Sequence, residues 1–398
     1  MFHQFVSSVI HPRQPTTGPL LGLRILDLTR LLPGPLGTML MADMGADVIK
    51  IEDPNAPDYV RSFPPYVNGE SVNYMAYNRS KRSVLLNYQT PDGCDQFLDL
   101  VKTADVVVEQ FRPGHLDRLG IGYAAARAVN PRIIYVSVTG YGQTGPYAHL
   151  AGHDLNYIAL AGVLGLTGDN SGTNPTIPGV QLADIAGGSY MSVVATLAAL
   201  YARERTGEGQ HVDVSMTDAV MPLLSVAYAG HAGGQSPERG TMPLSGGLPN
   251  YGVYACRDGY VALGTLEPKF WLKFCGLINK PDWSGFLLPT NPVQVADFKA
   301  QIQAVFTKRN RDEWTRFGLE HDILIMPVNS LDDLATDPHL MARQMTVTQE
   351  HPVAGSFRSI GVPLKFSGTP AQPAWPAPEL GADTDDVLGR TLDNPPAS

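Results

Sequence analysis

Near the start of the chain, two short apolar runs are separated by a stretch with the apolar spacing of a helix. Leu23–Leu28 is an apolar run, and the breaker Pro33–Pro35 precedes a helical pattern that continues through Met44. Asp47–Glu52 then has the character of a second strand. The order strand, loop, helix, strand is a βαβ unit, which predicts a parallel sheet with a right-handed crossover.

The same alternation continues along the chain and extends the predicted sheet. Its further members are helix Asp92–Thr103, strand Val106–Gln110, short helices from Gly114 to Ala128, strand Ile133–Val138, a helical stripe over Ser189–Arg203 and strand Gln210–Met216. We therefore predict an α/β fold whose large, Rossmann-like domain is built on an open parallel sheet. In such folds ligands bind at the carboxyl ends of the strands.

The character of the chain changes after Tyr228, where a loop-rich stretch begins. Gly252–Gly264 alternates as a hairpin, and three helical segments follow at Lys269–Ile278, Val295–Phe306 and Arg311–Phe317. This pattern predicts a smaller α+β domain. We expect a large domain over residues 1–228, the small domain over 229–330, and a C-terminal segment, 331–398, that returns to the large domain.

Composition and charge narrow the class of protein. The chain has 398 residues and a formal net charge of −9, which argues against nucleic acid as a partner because phosphate backbones need a basic face. Its three cysteines form no C-x-x-C pair, so we predict no metal site, and the sparse count fits a reducing cytosol. The N-terminus does not resemble a signal peptide, and the longest apolar stretch, Met191–Leu200, is short for a membrane span. We expect a cytoplasmic protein without a membrane partner.

Several nucleotide and hydrolase motifs are missing from the sequence. No G-x-G-x-x-G follows the first predicted strand, which argues against a nicotinamide dehydrogenase. The chain also contains no G-x-x-x-x-G-K-[ST] loop and no G-x-S-x-G elbow. P-loop nucleotide hydrolysis is therefore excluded, and the α/β-hydrolase reaction is disfavoured.

The strongest candidate chemistry lies in two segments, Gly152–Tyr157 and Leu182–Gly188. The first contains His153 and the second contains Asp184 at a predicted helix start. A histidine and a carboxylate on opposite sides of an acidic carbon can remove a proton from one face and return it to the other. The alternative is that His153 is a satisfied core histidine and Asp184 a plain N-cap.

Two cation-rich loops precede this pair. Asn78–Ser83 places three cations in four positions, and Gln110–Gly114, followed by Arg118, offers an aromatic face beside guanidinium groups. Both are compatible with phosphate contacts, although the first is more typical of a solvated charge run. Glu267, between a strand end and a helix start, is either a helix cap or a carboxylate that orients His153.

The motifs together resemble the family III CoA-transferase superfamily over nearly the whole chain, from Leu21 to Gly389. The residues that carry the resemblance are Leu21–Arg24, Pro33–Pro35, Gly45–Glu52, Arg112–Gly114, Asn130–Arg132 and Thr206–Gln210. The resemblance implies a large Rossmann-like domain, a small domain and a homodimer of interlocked rings. It also implies acyl-CoA thioesters as substrates, and we expect no cofactor beyond coenzyme A itself.

The superfamily contains two chemistries, and the sequence favours one of them. Gly152-His153-Asp154, Ser245–Gly247 and Glu267-Pro268 resemble α-methylacyl-CoA racemases, in which Glu267 would partner His153. We therefore expect His153, Asp184 and Glu267 to be catalytic in a racemisation through an enolate, whose oxygen backbone N–H groups around Ile185–Gly188 would stabilise. The alternative is a CoA-transferase in which Asp184 forms a mixed anhydride. The long stretch from Arg61 to Arg79 resembles the transferases.

The resemblance and the two cation-rich loops also give an expected set of CoA contacts. The set consists of Leu32, Pro33, Arg79, Lys81, Arg82, Leu86, Asn87, Tyr88, Gln110, Phe111, Arg112, Arg118, Asp154 and Tyr157.

Overall fold

A computed structural model describes residues 9–10, 16–169, 174–288 and 291–389. Contacts divide the chain into two compact units. Unit 1 comprises residues 1–161, 180–222 and 335–398, and unit 2 comprises residues 162–179 and 223–334. Residues 162–179 thus group with unit 2, whereas the sequence pattern predicted them in the large domain.

Unit 1 is built on an open parallel sheet, as predicted, and the sheet has six strands. Its strands are β1 (Arg24–Asp27), β2 (Asp47–Glu52), β3 (Lys81–Leu85), β4 (Val106–Glu109), β5 (Ile134–Thr139) and β6 (His211–Ser215). Their order across the sheet is β3-β2-β1-β4-β5-β6. This is the Rossmann order, which reverses between β1 and β4 and leaves a crevice at the carboxyl ends of those strands. The predicted α/β class is confirmed.

Helices connect the strands of unit 1. The main ones are α1 (Pro33–Asp43), α2 (Pro91–Val101), α3 (His115–Arg118), α4 (Tyr123–Val129), α5 (Asp154–Leu160) and α6 (Ala183–Thr206). Shorter helical segments are Tyr59–Ser62, Val72–Ala76, Met216–Val220, Pro338–Ala342 and Thr384–Leu388. The central strands are buried along almost their whole length because helices cover both faces of the parallel sheet. Within the described residues α6 alone has the length and composition of a membrane span. Core helices of soluble proteins share this property. In this structure α6 packs on α1, β5 and β6.

The C-terminal segment covers the β3 edge of the sheet. Ser83 N–H donates to the Asp383 carboxylate over 3.0 Å, and Leu85 N–H donates to the Thr384 hydroxyl over 3.0 Å. The Trp375 indole N–H donates to the Lys81 carbonyl over 2.7 Å. A second sheet of unit 1 contains Val9–Ile10, Thr346–His351 and Gly355–Ile360, and a small hairpin pairs Tyr66–Val67 with Glu70–Ser71.

Unit 2 has an antiparallel sheet and an aromatic core. Its strands are Tyr251–Ala255, Tyr260–Gly264 and Ile325–Pro327. Its helices are Ser225–Ala232, Pro268–Leu277, Pro292–Phe306 and Arg311–Glu320. Short helical turns lie at Leu164–Leu166, Pro243–Ser245 and Pro281–Gly285. Two more, Met221–Leu224 and Asp333–Ala335, span the points in the chain where one unit ends and the other begins. Trp271 and Trp314 are buried against Phe274 and Phe306, which gives this small unit a core of its own.

Candidate active site

A cavity of about 320 Å³ lies in unit 1 at the carboxyl ends of the parallel strands. Its walls come from the segments after β1, β4, β5 and β6, together with the starts of α5 and α6. The sequence-predicted residues that line it are Pro33, Gln110, Phe111, Arg112, His153, Tyr157 and Asp184. The fold therefore brings both members of the predicted catalytic pair to the crevice where a Rossmann sheet binds ligands.

Asp184 lies in the first turn of α6, within a wide π-helical stretch, Ala183–Tyr190. Such stretches are frequent at functional sites. Gly187 and Gly188 let this stretch pack closely. A Cβ at Gly187 would lie 2.7 Å from the Met216 carbonyl oxygen, and a Cβ at Gly188 would lie 2.6 Å from Pro33 Cβ. The glycines thus set the depth at which Asp184 faces the cavity.

Asp154 fixes the backbone beneath Asp184. Its Oδ1 accepts hydrogen bonds from the N–H of Ala183 at 2.6 Å and of Asp184 at 3.1 Å. The pKa of the Asp184 carboxyl is raised to about 6, first because the group is largely buried and second because Asp154 is negative, while His153 opposes the rise. Asp184 is therefore a more basic carboxylate than an ordinary aspartate. Because Asp154 caps α6, the structure gives it a role in holding Asp184 rather than the predicted contact with CoA.

The N–H groups at the start of α6 are already used. Ala183 and Asp184 donate to Asp154, and Ile185 donates to the Gln181 carbonyl over 3.0 Å. The groups that follow Ile185 lie inside the helix. The expectation that Ile185–Gly188 offers free donors to an enolate oxygen is therefore wrong.

Tyr157 forms an aromatic wall of the cavity. Its ring meets the Tyr141 ring edge to face, with 5.1 Å between the centroids, and its hydroxyl donates to the Gly152 carbonyl. A Cβ at Gly152 would lie 2.6 Å from the Tyr157 ring, so the glycine of the Gly-His-Asp motif is required by packing. Burial, followed by the charge on Asp184, raises the pKa of Tyr157, which keeps the hydroxyl protonated.

The loop after β1 supplies Leu31 and Pro33 to the cavity. Leu31 has a φ of 61°, in the left-handed region that residues with a side chain rarely adopt. Its N–H donates to Asp58 Oδ1 over 3.1 Å, and Asp58 forms a fully buried ion pair with Lys50 at 3.0 Å. Buried charges thus hold the backbone of the cavity wall in a strained conformation.

The loop after β4 supplies Gln110, Phe111 and Arg112. Gln110 Oε1 accepts the Gly34 N–H over 3.1 Å, which ties this loop to the start of α1. Arg112 lines the cavity and Arg118 lies on α3 directly beyond it. Both side chains are exposed, and neither forms an ion pair with any residue that the structure describes. Both remain predicted contacts for CoA phosphates.

The other cation-rich loop has a different role. Arg79 is 1% exposed and pairs with Asp43 at 2.7 Å, and Lys81 is fully buried and pairs with Asp27 at 2.9 Å. The structure corrects the prediction that Arg79 and Lys81 contact CoA, because a buried and paired cation does not reach a ligand in an open cavity. Arg82 pairs with Asp47 at 2.8 Å, on the outer edge of the sheet.

The remaining predicted contacts are divided between the core and the surface. Leu86 and Tyr88 belong to the buried hydrophobic core, which corrects their assignment to the CoA site. Asn87 forms the turn before α2, where its Oδ1 accepts the Gln89 N–H over 3.2 Å. Leu32 is the N-cap residue of α1, between the lining residues Leu31 and Pro33.

Glu267 lies in unit 2, at the N-cap position of the helix Pro268–Leu277. Its carboxylate makes no side-chain capping hydrogen bond, and Pro268 occupies the first turn, as predicted. Its predicted role as a partner of His153 stays a prediction.

Comparison with known proteins identifies the family. The sequence model of CoA-transferase family III matches residues 20–384. The chain belongs to CoA-transferase family III. Mouse succinyl-CoA:glutarate CoA-transferase is 34% identical to it over 94% of this chain and 86% of the relative. Acetyl-CoA:oxalate CoA-transferase of Acetobacter aceti is 34% identical over 88% and 90% of the two chains, and succinyl-CoA:mesaconate CoA-transferase of Haloarcula marismortui is 36% identical over 93% and 96%.

Solved structures agree with this family assignment. A CAIB/BAIF family protein from Brucella suis superimposes with a TM-score of 0.80 at 32% identity, covering 94% of this chain and 99% of the other. A Mycobacterium tuberculosis protein superimposes with a TM-score of 0.80 at 28% identity, again over 94% and 99% of the two chains.

The expected racemase chemistry is wrong, because these relatives of family III are CoA-transferases. The structure gives a physical reason why the Gly-His-Asp motif misleads. Gly152 makes room for Tyr157, and Asp154 caps α6, so two of its three residues serve the packing around Asp184. His153 itself is exposed, at the N-cap of α5.

Several residues that line the cavity were not among the predicted contacts: Leu31, Tyr59, Thr139, Ala148 and Met216. Thr139 ends β5 and its buried hydroxyl has no hydrogen-bond partner among the described residues. The position of Thr139 at a predicted strand end was the available signal. The left-handed conformation of Leu31 has no such signal in the sequence, since it depends on a hydrogen bond to the distant carboxylate of Asp58.

Proposed function

We propose that this protein transfers coenzyme A between two carboxylic acids, with Asp184 as the covalent carrier. The observation that carries the proposal is the Asp184 carboxylate, which faces a ligand-sized cavity at the switch point of the sheet and has a raised pKa. A desolvated, more basic carboxylate is a better nucleophile than a solvated one. Membership of CoA-transferase family III supports the same chemistry.

The balance of atoms dictates how Asp184 would act. Its carboxylate oxygen attacks the thioester carbonyl of the donor, the C–S bond breaks, and CoA thiolate leaves a mixed anhydride behind. The thiolate then attacks the Asp184 carbonyl, which releases the donor acid and forms an aspartyl-CoA thioester. The acceptor carboxylate then attacks the aspartyl-CoA thioester, which releases the thiolate again and forms a second mixed anhydride. The thiolate attacks the acyl carbon of the acceptor, which forms the product thioester and frees the Asp184 carboxylate. Asp184 is regenerated, and no external oxidant or water is consumed.

His153 has no proton-transfer step in this sequence. Its position near Asp184 still affects the reaction, because it opposes the rise in the pKa of Asp184 and so favours the ionised nucleophile. Removal of the imidazole should therefore change the rate moderately, whereas removal of the Asp184 carboxylate should abolish transfer.

The substrates are proposed to be small acids and their CoA thioesters. The relatives are named for succinyl-CoA or acetyl-CoA as donor and for glutarate, oxalate or mesaconate as acceptor. We infer that this chain uses acids of the same class, with Arg112 and Arg118 holding CoA phosphates at the loop after β4.

Homodimer formation is a second proposal, which the exposed apolar stripe on α6 supports. Tyr190, Val194, Leu197 and Tyr201 follow a helical spacing, and Val194 and Tyr201 are 54% and 67% exposed. Apolar surface of this kind marks interaction sites. Light scattering should give the mass of a dimer at micromolar concentration, and a stable monomer would contradict the proposal.

The experiment that tests the function combines trapping with two variants. The protein is incubated with succinyl-CoA or acetyl-CoA and then with hydroxylamine, which captures an activated carboxyl as a hydroxamate. The peptide that contains Asp184 should carry the adduct in the wild type and in His153→Ala, and Asp184→Asn should carry none and transfer no CoA to glutarate, oxalate or mesaconate. Full transfer by Asp184→Asn would contradict the proposal.

A further inference from the structure

A second cavity, of about 200 Å³, lies on the other side of the loop after β4. Arg112 and Pro113 line both this cavity and the Asp184 cavity. The loop Phe111–Gly114 is therefore a partition between the two. A group that holds this loop from the second cavity therefore also holds a wall of the first.

Three polar side chains of the second cavity lie in a row. Glu109, the last residue of β4, is 5% exposed, and its Oε2 accepts the Phe111 N–H over 2.6 Å. Ser137, its register partner on β5, stabilises the ionised form of Glu109, and its hydroxyl lies 2.9 Å from His211 Nε2. His211 is exposed, so the row leads from a buried carboxyl to the solvent.

The order of the three residues favours proton exchange. It excludes a hydrolytic triad, in which the histidine stands between the serine and the carboxylate. A serine hydroxyl has one hydrogen to donate. With Glu109 ionised, Ser137 donates to Glu109 and accepts from His211. With Glu109 protonated, the carboxylic acid donates to Ser137, whose hydroxyl turns to His211. Passage between these two states moves one proton from His211 Nε2 to Ser137 and one from Ser137 to Glu109, so the imidazole at the surface exchanges the proton with solvent.

The groups around Glu109 give its charge no ion-pair partner among the described residues. Burial raises the pKa of Glu109 to about 7, the hydrogen bonds from Ser137 and Phe111 oppose the rise, and Asp117 on α3 adds to it. Tyr135 on β5 is neutral, since burial raises its pKa well above 10. Burial lowers the pKa of His211 on β6, whose ring stacks on Tyr123 of α4.

Two further groups line this cavity from the loop and the start of α3, namely Arg112 and His115. Burial, followed by Arg118, lowers the pKa of His115, so that this imidazole is neutral when Glu109 titrates. Arg112 is exposed, and neither a hydrogen bond nor an ion pair joins it to Glu109 in the part of the chain that the structure describes. The pKa of Glu109, about 7, therefore places the change of its charge near neutral pH.

We propose that Glu109 is a positioning residue for CoA, which holds the loop Phe111–Gly114 against the Asp184 cavity and makes the affinity for CoA depend on its own charge. The proposal rests on the proposed function, because CoA is the ligand assigned to that loop. The ionised carboxylate makes a charge-assisted hydrogen bond to the Phe111 N–H, and such bonds are about twice as strong as neutral ones. Affinity is therefore full above the pKa of Glu109 and declines as the pH falls through it.

The test measures the Kd of free CoA by calorimetry between about pH 6 and about pH 8. The wild type should bind about fivefold more weakly at the acid end. Glu109→Gln keeps a neutral acceptor and should bind weakly at every pH. Ser137→Ala removes a hydrogen bond that favours the charged form, so its midpoint should move to higher pH. Glu208→Gln, which alters an exposed carboxylate, is the matched control and should follow the wild type.

The outcomes separate this inference from the proposed function. Transfer activity with a CoA affinity that is constant across the pH range overturns the role of Glu109 and leaves the function intact. A pH dependence that persists unchanged in a folded Glu109→Gln, as judged by circular dichroism, also overturns it. Absence of any CoA binding overturns both proposals. A pH-dependent affinity without transfer supports Glu109 and rejects the transferase.

Discussion

Two regions of unit 1, a cluster of buried ion pairs and the surroundings of Asp184, differ in whether a buried charge has a partner of opposite sign. In the paired-charge cluster, formed by Asp27, Asp43, Lys50, Asp58, Arg79 and Lys81, every charge meets an opposite one. Asp27 is fully buried, yet Lys81, Lys50 and two hydroxyl groups outweigh burial and lower its pKa to about 2. Asp184 is less buried, yet its pKa is raised to about 6, because Asp154 rather than a cation adds to the effect of burial.

The difference shows how the same residue types become structural or reactive. A buried charge with a partner is fixed in one ionisation state and holds the backbone, as Lys50 and Asp58 hold Leu31. A buried carboxylate without an ion-pair partner has a raised pKa and can react as a base or a nucleophile. Removing a charge from the first region should therefore cost stability, and removing one from the second should cost activity.

The largest expected effect is on stability, in Lys81→Met. This change leaves the ionised Asp27 buried without its nearest cation, and it should lower the free energy of unfolding by about 3–5 kcal/mol. Urea unfolding followed by circular dichroism measures the loss. The double variant Asp27→Asn/Lys81→Met should recover part of it. An unchanged stability with a raised KM for the CoA thioester would return Lys81 to the CoA site and break the comparison.

The next effect concerns the pH dependence of kcat. Only the ionised Asp184 attacks, and its raised pKa places the loss of activity on the acid side: kcat should fall about tenfold per pH unit below about 6. Asp154→Asn keeps the oxygen that caps α6 but removes its charge, so the acid limb should move to lower pH. A limb that stays in place in this variant would show that Asp154 does not raise the pKa of Asp184.

A smaller effect is expected in Arg112→Ala and Arg118→Ala. Each removes one exposed contact to a CoA phosphate, worth about 1 kcal/mol, so KM should rise about fivefold with little change in kcat or in stability. Steady-state kinetics with the CoA thioester varied gives both constants. The exposed cation Arg127 on α4 provides a control, since Arg127→Ala should leave KM unchanged.

The smallest expected effect is a difference in salt dependence between CoA binding and the free energy of unfolding. Exposed charges are screened by ions and buried pairs much less so. Raising the potassium chloride concentration should therefore weaken CoA binding to the wild type while the free energy of unfolding changes little. Equal sensitivity of both quantities would mean that the paired-charge cluster is not shielded from solvent as its burial indicates.

The sheet and the location of the site were predictable from the sequence. Strand β2 was predicted with its observed bounds, Asp47–Glu52, because apolar runs bounded by turn residues are a local signal. The pairing of His153 with Asp184 was inferred from their residue types and from the resemblance to family III, and the structure places both at the cavity. The local rules thus sufficed to locate the cavity.

The fate of individual charges was not predictable. Arg79, Lys81 and Arg112 occupy similar loop-like stretches, and their difference depends on carboxylates far along the chain. Asp43 lies 36 residues before Arg79, and Asp27 lies 54 residues before Lys81. The choice of chemistry failed for a related reason: Asp154 looked like part of a racemase motif, whereas its carboxylate caps the helix that begins beside it in space.

The most direct test of the account follows oxygen through Asp184. In the proposed sequence one carboxylate oxygen of the acceptor acid stays on Asp184 after each turnover, and Asp184 gives it to the next donor acid. With a heavy-oxygen-labelled acceptor and succinyl-CoA as donor, mass spectrometry should find the label in the Asp184 peptide and in the released succinate. Transfer of CoA with neither Asp184 nor the released acid labelled would contradict Asp184 as the covalent carrier.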